Sequence, residues 1–298
     1  MKKGFALALT LWIVAMLSLV SALYLSYGKK VVMKTRELNK KLELTFEAES
    51  TIELLKFYIA TGNIYRDRVS NSNFQKLFPS FPKFFFIDGR PKIIDNSTIS
   101  LQDTAGLINI HDNEAFSNYL SKDLNLEERN IINDSMRDWL DLDEFSLLNG
   151  GESAFYRQKG YLYGSRNEGY ISSIEELFLI RGVEKYKNIE RDKLTLSTVV
   201  IRNILTMTPR ILGKVYRFTP NEIEQLVEAK KEGRDFFTNL FYRFNVYNRR
   251  PELDGFITSN ILKMNITINK DNIYKKIELL ITFRPNNIRA FEVLEYTD

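Results

Sequence analysis

The sequence predicts an α+β fold in which a long N-terminal helix and an antiparallel sheet carry a large inserted all-α segment. Three patterns predict this fold: an uncharged run that continues into helical periodicity, strand-like segments on both sides of the chain's middle, and helical periodicity between them. With 298 residues, 44% of them apolar, the chain is long enough to bury a sizeable core. We predict the following divisions: a leader at 1–4, a transmembrane and amphipathic helix at 5–60, a first sheet region at 61–102, a helical insert at 103–247, and a second sheet region of antiparallel strands at 248–298.

The first element is an apolar helix. Phe5 to Tyr27 contains 23 residues without a charge. As a helix it extends about 35 Å at roughly 1.5 Å per residue, which is enough to cross a hydrocarbon core of about 30 Å. The sequence therefore predicts a segment that can span a membrane.

Three fates of this segment are compatible with the sequence. A secretory signal could be removed after Val20-Ser21-Ala22. An uncleaved anchor would place the body in the cytoplasm by the positive-inside rule, because the basic residues are more numerous between Lys29 and Lys41 than before the apolar run. Cleavage after Gly4 would keep the helix attached to the body. The third fate is favoured because apolar residues continue at near-helical spacing, at Leu38, Leu42, Leu44, Phe46, Ile52, Leu55, Phe57 and Tyr58.

The short basic leader, Gly4 and Phe5 resemble the class III signal of the type IV pilin family. The resemblance implies that a prepilin peptidase cuts after Gly4 and that the new N-terminal Phe5 is methylated. In most pilins the fifth residue after the cut is a glutamate, which pairs inside the bilayer with a neighbouring subunit. Here that position is Leu9. This departure argues against a repeating filament subunit and for a special place such as the tip.

The sheet and the helical insert follow in order. After Gly62 the text "LFPSFPKFFFIDGRPKIID" reads as short strands joined by tight turns. Helical periodicity follows, with N-cap signals at Ser172 and Thr219, each with an acid three residues later. The last fifty residues alternate apolar and polar, which predicts a three-stranded antiparallel meander.

Composition excludes several functions. Residues 1 to 41 carry a net charge of +7 and residues 42 to 298 carry −3, so the body has no basic footprint for nucleic acid. There is no cysteine and a single histidine, His111. Thiolate metal sites and histidine-built metal sites are therefore excluded, and His111 reads as a surface-loop residue.

One stretch contains candidate ligands for a metal ion. Asp138, Asp141 and Asp143 fall at the end of a predicted helix, where clustered carboxylates repel one another and oppose the helix dipole. Calcium satisfies such a cluster with about six to eight oxygen ligands. The first-choice ligands are Asp141, Asp143, Glu152 and Asn167, and the second choices are Asp138 and Glu175. The alternative is a solvated acidic loop neutralised by Arg137, Arg157 or Arg166.

The motifs around this stretch resemble the K-type minor pseudopilin family of bacterial type II secretion. They are Asp-Trp-x-Asp-x-Asp from Asp138, Gly150-x-Glu152-x-x-x-Tyr156, Asn167, and Ser173-x-x-Glu-Leu-x-x-x-Arg-Gly; upstream and downstream, "DTAGLINIHD" and "VIRNILTMTPRIL" match further family segments. The usual proline after the acidic triplet is absent. The "RNILT" segment is also a poor copy of the family's Asn-Thr motif.

The resemblance implies a non-enzymatic function. It implies a minor pseudopilin at the tip of the pseudopilus, which initiates or caps the filament for protein export across the outer membrane. The implied partners are the I-type and J-type minor pseudopilins, the major pseudopilin and the prepilin peptidase. The implied location is the inner membrane, crossed once, with the body in the periplasm and calcium in the helical segment. The alternatives are a minor type IV pilin for adhesion or DNA uptake, and an exported hydrolase that uses Asp141 and Asp143.

Overall fold

A computed structural model describes residues 2–121, 124–166, 169–197, 200–245, 254–270, 273–283 and 291–297. It confirms the predicted α+β class, with a long N-terminal helix, antiparallel sheets and further helices. The α-helices are α1 (Lys2–Thr61), α2 (Ser72–Leu77), α3 (Asn113–Leu120), α4 (Leu126–Leu140), α5 (Ser153–Gln158), α6 (Pro209–Val215), α7 (Pro220–Glu232) and α8 (Arg234–Phe244). The strands are β1 (Asn63–Ile64), β2 (Arg68–Ser70), β3 (Phe84–Phe86), β4 (Lys92–Ile94), β5 (Ser97–Asp103), β6 (Ile108–Asn109), β7 (Leu194–Thr195), β8 (Arg202–Asn203), β9 (Asp254–Gly255), β10 (Ile261–Lys270), β11 (Ile273–Phe283) and β12 (Phe291–Thr297).

Helix α1 has an exposed first part and a packed second part. It contains 60 residues and so extends about 90 Å at roughly 1.5 Å per residue. Among the described residues, it is the one helix long and apolar enough to cross a membrane, with a mean hydropathy of 2.0 in its most apolar stretch. Its second part buries one stripe against the sheet, formed by Leu44, Ala48, Ile52, Leu55 and Ile59. The spacing of three or four residues puts these side chains on one face.

The larger sheet has five strands in the order β12-β11-β10-β5-β4, and each neighbouring pair is antiparallel. Alternate residues of β10 are buried, from Leu262 to Ile268, because successive side chains of a strand point to opposite faces. Strands β10, β11 and β12 form the predicted meander. A smaller antiparallel sheet of β1, β2 and β3 lies beyond the end of α1.

The helical segment, with α3 to α8, has a separate hydrophobic cluster. It differs from the prediction in two respects. Glu176–Leu179, part of a predicted helix, forms a short 3-10 turn that soon reaches Gly182, whose φ is +84°. The segment also contains a two-residue parallel pairing of β6 with β7, and its β8 pairs in parallel with β9, which follows the segment; a helical pattern predicts neither pairing. The predicted segment boundaries stay predictions.

A buried carboxylate joins the sheet to the helical segment. Asp103 ends β5 and is fully buried. It accepts hydrogen bonds from the backbone N–H groups of Ala105 and Ser259, from the Ser259 hydroxyl at 2.6 Å, and from Asn203 Nδ2 at 2.9 Å. Burial raises the pKa of this carboxyl. A Cβ on Gly106 would lie 2.5 Å from the carbonyl oxygen of Thr206, so a glycine fits this junction. The "DTAGLIN" and "RNILT" segments therefore meet here.

Candidate metal centre

Helix α4 positions two acidic residues, Asp138 in the interior of the helical segment and Asp141 at the end of the helix. It begins with a capping box between Asn125 and Glu128 and buries Ile132, Ser135 and Trp139 on one face. Asp138 lies three residues after Ser135 and is fully buried with it. Asp141 caps the C-terminal end of the helix. The local helical pattern thus places one carboxylate inside the fold and a second at its edge.

Asp138, Asp141 and Glu152 form a cluster, which we call the carboxylate cluster. One oxygen from each lies within 4.8 Å of the others. Asp138 and Glu152 are 0% and 2% exposed, and Asp141 is half-buried. Three carboxylates at this separation repel one another, and burial strengthens the repulsion.

Asp138 also organises the loop that follows α4. Its oxygens accept hydrogen bonds from the Ser146 hydroxyl at 3.0 Å and from the Leu147 N–H at 3.1 Å. A Cβ on Gly150 would lie 2.0 Å from Asp138 Oδ2. Glycine is therefore required at position 150 for the loop to approach the carboxylate this closely.

Two oxygens of the cluster are buried without a hydrogen-bond partner. They are Glu152 Oε1 and Asp141 Oδ1. The other Glu152 oxygen accepts a hydrogen bond from the Ser165 hydroxyl. Burial raises the pKa of Glu152 to about 7, with smaller contributions from the charges of Asp138 and Asp141. Burial, followed by the charges of Asp143 and Asp138, also raises the pKa of Asp141.

A polar frame holds the residues around the cluster. Arg181 donates to the carbonyl oxygen of Gly150, and its backbone N–H donates to the Tyr156 hydroxyl at 3.0 Å. Trp139 Nε1 donates to Glu176 Oε1 at 2.8 Å in the interior. These hydrogen bonds join motif residues that are far apart in the sequence: Tyr156, Arg181 and Gly150 in one set, and Trp139 and Glu176 in another.

The structure separates the candidate ligands into three groups. It brings the first-choice residues Asp141 and Glu152 together with the second-choice residue Asp138. Asp143 lies outside this cluster, where its carboxylate accepts the N–H of Phe145 at 2.8 Å. Glu175 is exposed and forms an ion pair with Arg191. Asn167 lies outside the described residues. No observation tests the role of any of these residues as a ligand, which stays a prediction.

The sequence contained a signal for Asp138 as the central residue. Its position continues the buried face of α4 marked by Ile132 and Ser135, so a carboxylate there has to be buried.

Among the arginines considered as neutralising partners, Arg166 forms an ion pair with Glu176 at 3.3 Å, and Arg157 donates to the carbonyl oxygen of Ser153.

The donor set fits a hard cation. All three clustered side chains offer carboxylate oxygens, and two of these oxygens are buried without a partner. Calcium accepts such oxygens in a tolerant geometry and completes its coordination with backbone carbonyls and water. A bound cation would therefore remove the repulsion and satisfy both oxygens.

The processing and assembly residues of the sequence analysis lie on α1. Gly4 and Phe5 fall in its first turns, and the Leu9 side chain is 49% exposed on its surface. Cleavage after Gly4 and methylation of Phe5 stay predictions.

The structure is similar to a chain of the GspK-GspI-GspJ complex from the type 2 secretion system of enterotoxigenic Escherichia coli. The TM-score is 0.55 at 14% sequence identity, and the similarity covers 89% of this chain and 98% of that chain. No protein-family profile matches the sequence, and no curated protein matches it. The fold over 89% of this chain is therefore shared with a subunit of that complex.

Proposed function

We propose that this protein is a K-type minor pseudopilin that initiates or caps the pseudopilus of a type II secretion system. The similarity over 89% of this chain and 98% of a subunit of the GspK-GspI-GspJ complex is the observation that supports it most. The membrane-spanning α1 and the replacement of the usual glutamate by Leu9 support it independently. The role is structural and non-catalytic.

In this proposal α1 connects the membrane to the filament. Its first part anchors the chain in the inner membrane as a single pass, with the body in the periplasm. Helix α1 also exposes large apolar side chains from the flank of the buried stripe to the face opposite the sheet, at Leu38, Leu42, Phe46 and Phe57. These side chains offer a surface on which the helices of I-type and J-type subunits pack. The major pseudopilin follows below them, and the prepilin peptidase processes the chain after Gly4.

The body would determine the position of the subunit in the filament. The helical segment is joined to the sheet through Asp103 and adds a second hydrophobic core to the body. A head of this size hinders the addition of another subunit above it. The absence of a carboxylate at Leu9 removes the group that recruits the next copy.

We also propose that the carboxylate cluster binds calcium. Asp138, Asp141 and Glu152 would hold the ion, which supplies positive charge and no catalysis. Because Asp138 also fixes the loop through Leu147 and Gly150, calcium would stabilise that loop. The buried, unpartnered oxygens of Asp141 and Glu152 support this assignment.

Co-expression with I-type and J-type minor pseudopilins tests the proposed function. We expect the three proteins to copurify as one complex. Leu38→Glu combined with Leu42→Glu should weaken this complex, because it places charges on the exposed apolar face of α1. Glu43→Gln combined with Glu47→Gln serves as a control on other faces of the helix. The proposal fails if the wild-type chain forms no complex with either partner and instead copurifies with type IV pilus subunits.

N-terminal sequencing of the protein from membranes tests the processing. We expect a mature chain that begins at methylated Phe5. A chain that begins at Leu23 would contradict the proposal, since it would have lost the anchor. A chain that begins at Met1 would contradict the processing alone.

A further inference from the structure

The segment between the membrane span and the sheet is strongly basic. Six Lys or Arg residues and one acid, Glu37, lie between Lys29 and Lys41, and neither the proposed packing with partner helices nor the carboxylate cluster uses them. The described side chains of this segment are exposed. Glu37 forms an ion pair with Lys41 at 2.8 Å, so the segment keeps a large positive excess.

Three of these six basic residues lie on the same face of α1 as the body, and Lys29, Arg36 and Lys40 lie on its flank. Eighteen residues make about five turns of an α-helix, so residues 18 apart lie on the same face. Lys30, Lys34 and Lys41 are each 18 residues before a buried residue that packs against the sheet: Ala48, Ile52 and Ile59, respectively. The exposed apolar side chains of Phe46 and Phe57 lie on the opposite side of the helix. The basic face, formed by Lys30, Lys34 and Lys41, therefore lies on the side of α1 that carries the body, between the body and the membrane.

The lower edge of the body also carries lysines. The ends of β10 and β11 reach α1, where Lys270 forms an ion pair with Glu43 at 3.3 Å and Lys275 donates to the Thr45 hydroxyl at 3.3 Å. Tyr274 projects from the same edge and is 73% exposed. Lysines beside an exposed aromatic ring are typical of surfaces that meet lipid headgroups.

We propose that the basic face of α1 and the adjacent edge of β10 and β11 dock on anionic phospholipid headgroups, so that the body leans over the membrane. The occupant follows from charge and position. Lys29 and Lys30 come directly after the apolar run, where they meet the headgroup layer. Each lysine near an anionic surface favours the close arrangement by about fivefold. The proposal rests on the membrane anchoring of α1 and is independent of the filament partners.

The apolar run and the basic face would determine the tilt of α1 together. The run of 23 residues is about 35 Å long, whereas the hydrocarbon core measures about 30 Å, and a helix with this mismatch tilts. In an upright helix, Leu44 would lie about 25 Å beyond Tyr27, well past the Debye length of about 8 Å. Tilting toward the basic face lowers the edge that carries Lys270, Lys275 and Tyr274. The mismatch thus permits a tilt, and the charges select its direction.

Fluorescence energy transfer from the full-length chain in lipid nanodiscs tests this inference. The chain contains no cysteine, so Tyr274→Cys provides a unique site for a donor dye, and Phe46→Cys provides one at a similar height on the opposite face of α1. The acceptor is a dye on the lipid headgroups. Discs of phosphatidylcholine are compared with discs that contain phosphatidylglycerol.

We expect transfer from position 274 to rise in the anionic discs and transfer from position 46 to fall. Both shifts should disappear in 1 M salt, where the Debye length is about 3 Å. Lys30→Gln combined with Lys34→Gln should abolish the shifts. Thr35→Glu combined with Asn39→Glu changes the net charge by the same amount away from the basic face and should leave most of the shift.

Equal transfer from position 274 in both lipids would overturn the proposal. Loss of the lipid-dependent shift to the same extent in both double variants would also overturn it. A chain that does not enter the discs would overturn it together with the anchoring on which it rests. Loss of the lipid-dependent shift with retained binding of I-type and J-type subunits would reject the lipid surface and leave the proposed function intact.

Discussion

The two hydrophobic clusters of the body are built in different ways. The cluster between α1 and the larger sheet follows regular spacing, with α1 contributing residues three or four apart and β10 contributing every second residue. The cluster of the helical segment surrounds buried charges, among them Arg202 between Asp112 and Asp254. The first region depends on periodic apolar burial, and the second depends also on the pairing of each buried polar group.

This difference implies different sensitivities to substitution. An apolar core loses stability in proportion to the volume removed. A buried charge that loses its partner retains its full desolvation penalty, so a single substitution has a larger effect. We therefore expect the helical segment to be sensitive to changes at its buried charges, and four predictions test this expectation in order of decreasing effect.

Arg202→Met should have the largest effect. Arg202 contacts Asp112 at 2.6 Å and Asp254 at 3.0 Å, and all three side chains are at most 5% exposed. Removing the arginine leaves two buried carboxylates without their shared cation, which costs about 3–5 kcal/mol. Urea unfolding of the two proteins measures this change. Arg234→Met, which breaks an exposed pair with Asp235, should cost at most about 1 kcal/mol. Equal costs would show that burial does not increase the effect of losing an ion pair.

Calcium should stabilise the helical segment by a smaller amount. A ligand that binds only the folded state stabilises it by about 2.7 kcal/mol at a hundredfold excess over Kd. The melting temperature of wild type should rise with calcium and fall with chelator, and Glu152→Gln should lose most of this response. Asp143→Asn serves as the matched control, because Asp143 lies outside the carboxylate cluster. If the melting temperature of wild type does not change when chelator is added, the calcium proposal is contradicted.

Gly150→Ala tests the close approach of the loop to Asp138. The added Cβ would lie 2.0 Å from the carboxylate, so the loop or the carboxylate has to move. We expect a loss of about 1–3 kcal/mol, typical of overpacking, and a weaker calcium response. In Gly213→Ala the Cβ meets its nearest neighbour, Ile223, at 3.6 Å, which is ordinary contact. That variant should match or exceed wild type, because alanine favours the helical conformation of α6.

The pH dependence of stability should show the smallest effect, at most about 1.4 kcal/mol per pH unit for one group. Burial raises the pKa of Glu152 from 4.5 to about 7, so the folded protein holds a proton that the unfolded chain has released. In chelator, the contribution of Glu152 is complete below pH 4.5 and is lost as the pH rises to about 7. Urea unfolding at pH 5 and pH 7 measures it. Glu152→Gln should reduce the slope, and an unchanged slope would assign it to other groups.

Several elements were predictable because their signal is local. The unbroken run from Phe5 to Tyr27 predicts a helix long enough to span a membrane, and alternation after Asn260 predicts the meander of β10 to β12. The capping box at Thr219 also predicts the start of α7. In each case the neighbouring residues alone specify the conformation.

The carboxylate cluster was only partly predictable. Asp141 and Glu152 are in the predicted set and in the cluster, whereas Asp143, two residues from Asp141, lies outside it. Sequence spacing does not reveal which carboxylate the loop approaches. That choice depends on Gly150 fitting against Asp138 and on the hydrogen bonds from Ser146 and Leu147.

Consecutive residues alone predict the apolar helix of membrane-spanning length, the α+β class and the charge division between the basic segment and the body, because periodicity, length and composition are local properties. Only the tertiary structure decided that Asp103 joins Asn203 and Ser259, that Asp138 lies inside the cluster, and that the basic face of α1 lies below the sheet. These relations join residues up to 156 positions apart. They arise from the packing of complete elements, which no local pattern encodes.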